Sequence, residues 1–135
     1  MNGNDFETPA HGALFLDRRS RLDSPWGEFR LQVFRRFDDH RWAVAAVHGD
    51  VTGGQRLLAR VHSSCVTSES LGGCDCDCVE QLNGALEAIA TEGRGVVFYL
   101  LQEGRGAGLV AKARDRMLVQ ASEHRLTTFE AYERL

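Results

Sequence analysis

Every cysteine of this chain lies between positions 65 and 78, inside the stretch that runs from Arg60 to Cys78 and reads RVHSSCVTSESLGGCDCDC. Four thiols so close together in an otherwise cysteine-free chain constrain the fold more than any other feature, because they point to one metal centre around which the backbone must turn. Thiolate is a soft ligand suited to zinc, which takes four protein ligands in a structural site, or three and an open position in a catalytic one. If Cys65, Cys74, Cys76 and Cys78 all bind, the site is a closed staple. If three bind, water takes the fourth place, its pKa falls, and hydroxide becomes available to an electrophilic carbon. Spacing leaves both arrangements open, since C-x8-C-x-C-x-C is not the pair of C-x-x-C knuckles usual in structural sites. In an extended segment Cys74, Cys76 and Cys78 would share a face but sit roughly 7 Å apart in succession, so one ion can gather them only across a sharp bend.

Whether such thiols bind metal or pair with each other depends on the compartment. The first twenty residues include Asp5, Glu7, Asp17, Arg18 and Arg19 and lack the unbroken apolar segment of a signal peptide, and no later run has membrane-spanning length. A cytoplasmic protein without a membrane partner is expected, and there thiols stay reduced. A formal charge of -3 and a pI near 5.9 argue against a broad electrostatic grip on nucleic acid, so any phosphate ligand must be held by a local site.

The pattern along the chain predicts an α/β fold, with a mixed sheet that begins as an antiparallel meander and carries flanking helices. Residues 1–22 show no clean period and read as a flexible tail, with one domain over 23–135. A turn at Ser24-Pro25-Trp26-Gly27 leads into a strand in which Phe29, Leu31 and Val33 alternate with Arg30, Gln32 and Phe34. Asp38-Asp39-His40 marks the next turn, Trp42 to Val47 a second strand, and Leu57 to His62 a third member of the meander. After Cys78 the period becomes helical through Val79, Leu82, Leu86 and Ile89, with Gly93 as the stop. Gly95 to Leu101 is a continuous apolar run, expected of a strand buried on both faces. A glycine-rich turn over residues 102–108 then opens a second helix from Leu109 to roughly Glu123.

In that turn Gly104, Gly106 and Gly108 permit close backbone approach to a ligand, the following helix directs free N–H groups toward it, and Arg105 adds a planar fork suited to phosphate or a purine edge. Glycines in such turns also serve the turn alone. Lys112, Arg114 and Arg116 read either as a solvated basic face or as a reach toward phosphate. His62 reads as a satisfied strand histidine or, three residues from Cys65, as a group facing the metal pocket.

Taken together these motifs resemble GTP cyclohydrolase II, the zinc enzyme that opens the guanine ring at the first step of riboflavin synthesis. The resemblance runs through Ser24-Pro25-Trp26-Gly27-Glu28-Phe29, Val47-His48-Gly49-Asp50, Leu58-Ala59-Arg60-Val61-His62-Ser63, the Cys65…Cys76-Asp77-Cys78 spacing, Gln81-Leu82, and Gln102-Glu103-Gly104-Arg105-Gly106 with Gly108-Leu109 and Lys112, over about residues 23 to 133. It implies one zinc per chain on Cys65, Cys76 and Cys78, with Cys74 at a position of no special chemistry. It also implies that Arg60, Val61, His62, Ser63 and Ser64 line a nucleotide pocket, that Gln81 approaches the guanine, and that Glu103, Gly104, Arg105 and Thr128 contact the substrate. The implied reaction opens the imidazole ring of GTP and releases formate and diphosphate, with magnesium on the substrate phosphates, in a homodimer.

Three departures accompany the resemblance. Ser64 stands where the riboflavin enzymes have glutamate. Arg116 stands at the family's catalytic tyrosine, which makes it the candidate catalytic residue of this chain, a fixed cation in place of a phenol. The wording at Cys65-Val66-Thr67-Ser68-Glu69 and Phe129-Glu130-Ala131-Tyr132-Glu133 is closer to homologues associated with uracil catabolism, which implies an alternative substrate, a pyrimidine-derived or other nucleotide. Moreover, the family's acid-base aspartate, nucleophilic arginine and later nucleotide-holding residues correspond to positions beyond Leu135, so the domain is expected to lack its C-terminal part. A zinc-stabilised nucleotide-binding module without turnover is the reading from another class.

Overall fold

The computed structural model describes residues 13–17, 20–36 and 41–133. It divides into two compact units, one up to Leu101 and one from Gln102 onward.

The first unit is built on a mixed sheet of six strands, β1 (Ala13–Asp17), β2 (Arg21–Ser24), β3 (Gly27–Arg36), β4 (Trp42–His48), β5 (Leu58–Ser63) and β6 (Gly95–Leu100). Its order is β1-β3-β4-β6-β5, with β2 also paired to β3. Between β5 and β6 come a one-turn helix α1 (Val66–Glu69) and the longer α2 (Cys78–Glu92). The mixed sheet with flanking helices is thus the expected α/β architecture.

Two details differ from expectation. β5 does not extend the meander beside β4. It runs parallel to β6, Leu58 to Ser63 facing Gly95 to Leu100, while β6 pairs antiparallel with β4 and so separates the two. The cause is the β5–α2–β6 crossover: a parallel neighbour needs a long connection, which α2 supplies, whereas β4 and β5 only look adjacent in sequence. Secondly, β1 and the first two residues of β2 lie within the stretch read as a tail. Ten-residue β3 is long enough to pair with both, Leu22 facing Phe29 toward one end and Ala13 facing Arg36 at the other. Strands of four and five residues carry too few positions to show a period of their own. The turn expected at Asp38-Asp39-His40 lies outside the described residues.

Alternation along the strands sends Phe29, Leu31, Ala46, Val97, Arg60 and His62 to one face. There α2 lays Leu82, Ala85, Leu86, Ile89 and Ala90 against a core of Phe29, Ala46 and Val97. Phe29, Ile89 and Val97 are the largest fully buried side chains, each worth roughly 1.5–3 kcal/mol of burial. The opposite face of β6 is more open than its apolar run suggests, Phe98 remaining 39% exposed. α2 stops at Gly93, whose φ of 89° lets its amide reach back to Ile89 and Ala90. Two residues later a β-carbon on Gly95 would meet the Leu58 carbonyl at 2.6 Å and Ile89 at 3.0 Å, so only glycine allows β5, β6 and α2 to close up here.

In the second unit the residues of the glycine turn, Gly104 to Gly106, form one tight helical turn, followed by α3 (Leu109–Ala121) and α4 (Thr128–Glu133), which pack on each other.

Candidate metal centre

Cys65 ends the extended chain after β5 and caps α1; Cys78 is the first residue of α2. The chain between them bends at Cys74 and Asp75. That bend, with the helical start at Cys78, removes the obstacle that an extended segment would pose. The sulfurs of Cys65, Cys76 and Cys78 lie within 4.8 Å of one another, and those of Cys65 and Cys76 are 3.7 Å apart. Tetrahedral zinc with bonds of about 2.3 Å holds its sulfurs roughly 3.8 Å apart, so the donor set fits in kind and in spacing. Cys74 is exposed and its thiol turns to the Gly72 carbonyl at 3.6 Å. Burial first, then hydrogen bonds with Cys76 and Cys65, pushes the Cys78 thiol up to about 12. A cation among the sulfurs would favour loss of the Cys78 proton.

Further polar side chains stand on β5, β6 and α2, the elements that flank the cysteine segment in the chain. Arg60 Nη2 donates to Gln81 Oε1 at 2.5 Å, one helical turn along α2 from Cys78, while Arg60 Nε is buried with no hydrogen-bond partner. Val61, on the opposite face of β5, is 65% exposed, and Ser63 and Ser64 are half-buried. His62 is 3% exposed. Its Nε2 stands 2.5 Å from Glu69 Oε1, and Tyr99 donates its hydroxyl to Glu69 Oε2. Glu69 and Tyr99 are neighbours of the site that no motif announces: Tyr99 is hidden in an apolar strand, and Glu69 sits on a helix too short to show a period. The spacing of Cys65 to Glu69, four residues with Cys65 as helix cap, is the signal that could have linked them.

The sequence pattern of the GTP cyclohydrolase II family matches residues 17–135. The chain belongs to the GTP cyclohydrolase II family. It is 47% identical over 102 residues to a GTP cyclohydrolase-2 of Aeromonas hydrophila, the match covering 76% of this chain and 52% of that one. It is 46% identical over 93 residues to the riboflavin biosynthesis protein RibBA of Chlorobium phaeovibrioides, covering 69% and 23%. A crystal structure of RibBX, a two-domain 3,4-dihydroxy-2-butanone 4-phosphate synthase from A. baumannii, superposes on 69% of this chain and 23% of its own, with a TM-score of 0.46 and 19% identity. The chain spans about half the length of the GTP cyclohydrolase-2 relatives it matches, 52% and 46% in two cases.

The second unit carries the remaining residues of interest. Glu103 receives the Gly106 and Gly108 amides on its carbonyl, both at 3.0 Å, and the Lys112 ammonium on its carboxyl at 2.7 Å. Gly104 and Arg105 both take the left-handed backbone, at φ 56° and 54°. For arginine this is a strained conformation, and such strain gathers at ligand-binding turns. Arg116 is half-buried on α3 beside Asp115, which is 6% exposed. The side chain of Thr128 lies outside the described residues; Thr127 before it caps α4, its hydroxyl accepting from the Glu130 amide at 3.2 Å while Glu130 reaches back to the Thr127 amide at 2.8 Å. Among the described residues no helix is long and apolar enough to cross a membrane.

Proposed function

We propose that this chain carries the metal-binding part of a zinc-dependent hydrolase of the GTP cyclohydrolase II type, which opens the imidazole ring of GTP and releases formate and diphosphate in riboflavin biosynthesis. The observation that carries the reading is the convergence of three thiols, and no fourth, in a family member: Cys65, Cys76 and Cys78 meet while Cys74 turns away. Zinc on three thiolates keeps one position for water and lowers its pKa into the neutral range. The residues around it have their own tasks. Gln81 holds the Arg60 guanidinium by one nitrogen, and the assignment of both residues to the nucleotide rests on the order of motifs in the family. For Val61, Ser63, Ser64, Glu103, Gly104, Arg105 and Thr128 the assignment to the nucleotide rests on the order of motifs in the family, as does magnesium on the phosphates. Arg116 is assigned to the substrate as a cation rather than as a proton donor, because a guanidinium does not release its proton near neutral pH.

The test begins with the 135-residue chain, by metal analysis and by titration with GTP. One zinc per chain and saturable GTP binding are the expected results. Formate release is then measured on the product of the whole gene, with GTP and with pyrimidine nucleotides offered separately. Formate from GTP that disappears in Cys76→Ser establishes the reaction. A chain with zinc and bound GTP but no formate from the whole product overturns the hydrolase in favour of a binding module, and turnover of a pyrimidine alone overturns GTP as the substrate.

A further inference from the structure

We propose that the carboxyl group of Glu69, gripped by His62 and Tyr99, is the anchor that holds Cys65 in place for the metal, making these three positioning residues of the centre. The inference rests on the metal-centre reading above. It begins with α1, which is four residues long. A single turn of helix does not hold itself together in water, because nucleation fixes several residues for each bond gained. Something outside the helix must therefore set where α1 lies, and with it Cys65, whose carbonyl accepts the amides of Glu69 at 2.8 Å and Ser68 at 3.2 Å.

That support comes from the sheet. His62 on β5 and Tyr99 on β6 face each other across the parallel pair, their rings stacked at 5.6 Å and 24°. One grips Oε1 of Glu69 and the other Oε2, so the carboxyl is held at both oxygens. A second tie joins α1 to the other arm of the centre: buried Ser68 accepts the amide of Val79, the residue after Cys78, at 3.2 Å. The carboxyl thus locks the first ligand arm to the sheet, and Ser68 sets it against the second.

The buried cluster is itself an argument. Side chains of His62 and Glu69 are 3% and 11% exposed, and a well-packed apolar group at such a place is often as stable or more so. Stability alone does not call for them, whereas partners that orient metal ligands from outside are a recurrent need of metal sites. On this reading His62 serves the metal centre through Glu69 and is not itself open to the nucleotide.

Cobalt(II) titration tests this without turnover, because the visible absorption reports the geometry of the thiolate site and competition gives the affinity. Glu69→Ala is expected to weaken cobalt and zinc about 10–100-fold. Tyr99→Phe, which keeps the ring and removes one hydroxyl, is expected to weaken them less and to add nothing in the Glu69→Ala background, since the hydroxyl acts through the carboxyl. Glu69→Gln keeps an oxygen for Tyr99 and should recover part of the loss. Affinities and spectra within about twofold of the parent in both single variants, or losses that simply add, would overturn the proposal. Should Glu69→Ala fail to fold, Tyr99→Phe decides alone. A parent chain that binds no metal would remove the proposed function and the anchor together, whereas tight binding by parent and variants alike removes only the anchor.

Discussion

Around the three sulfurs, hydrogen bonds join residues far apart in the chain: Tyr99 to Glu69, Arg60 to Gln81, Val79 to Ser68. In the unit from Gln102 onward the bonds described above run between near neighbours, Lys112 to Glu103 and Thr127 to Glu130. The first arrangement exists only when β5, β6 and α2 are already assembled, since a one-turn helix and a bent loop have no order of their own. The second needs little more than a turn and a helix start. The grouping of the three thiols is therefore a property of the whole first unit, whereas the glycine turn is encoded where it stands. The difference also separates two kinds of site residue: those that depend on tertiary structure and those a short stretch specifies by itself.

The strongest way to break this comparison is through the ligands. Cys65→Ser, Cys76→Ser and Cys78→Ser should each lower metal affinity by more than the about 10–100-fold that loss of an outer partner costs. Cys74→Ser, whose thiol only meets the Gly72 carbonyl, should bind as the parent does. Metal analysis after gel filtration separates the two classes. Equal loss in all four would mean a closed site and would end the assignment of an open position.

The same contrast explains what could be read from the sequence. β3, β4, α2, β6, the glycine turn and α3 announce themselves because their signals are local: alternation at Phe29, Leu31 and Val33, helical spacing from Val79 to Ile89, and the stop at Gly93. The thiols are legible as a candidate metal centre, but the choice of three among four comes from family resemblance and not from spacing, because the bend at Cys74 and Asp75 leaves no periodic trace. Sequence order places β5 beside β4, since consecutive strands are usually neighbours and the crossover through α2 is a long-range event. Glu69 and Tyr99 stayed out of view for the same reason. Their meaning lies in a bond across thirty positions, and each alone is an ordinary residue for its helix or strand.

A smaller effect sharpens the comparison by following protons. The Cys78 thiol is held up at about 12 by burial and by Cys76 and Cys65, so metal must displace its proton near neutrality. Raising the pH lowers that cost and lowering it opposes binding. Zinc affinity measured by chelator competition between about pH 6 and pH 8 should rise with pH, by up to tenfold per unit for each proton released. Cys78→Ser should flatten the slope and Cys74→Ser should leave it. An affinity independent of pH would show that Cys78 has already lost its proton before metal binds.

The smallest expected effect concerns Asp115, on the locally encoded side. Buried in α3 at 6% exposure, with no hydrogen-bond partner for Oδ1, it has its carboxyl pushed above the usual value by burial, while the nearby Arg105 and Arg116 pull it back only in part. A carboxyl that keeps its proton longer when folded adds no penalty below the unfolded value of about 3.9. As the pH rises, the unfolded chain loses the proton first, so stability falls through the raised folded value and then levels off. Asp115→Asn cannot ionise and escapes that fall. Relative to the parent it should melt higher near neutral pH, by less than the roughly 1–3 kcal/mol that an unpaired buried polar group costs, and the advantage should fade as the pH drops through the carboxylate range. A difference that is constant with pH, or reversed, would mean that the two arginines and not burial govern this position, and that Asp115 is paired in the folded chain as closely as Glu103 is with Lys112.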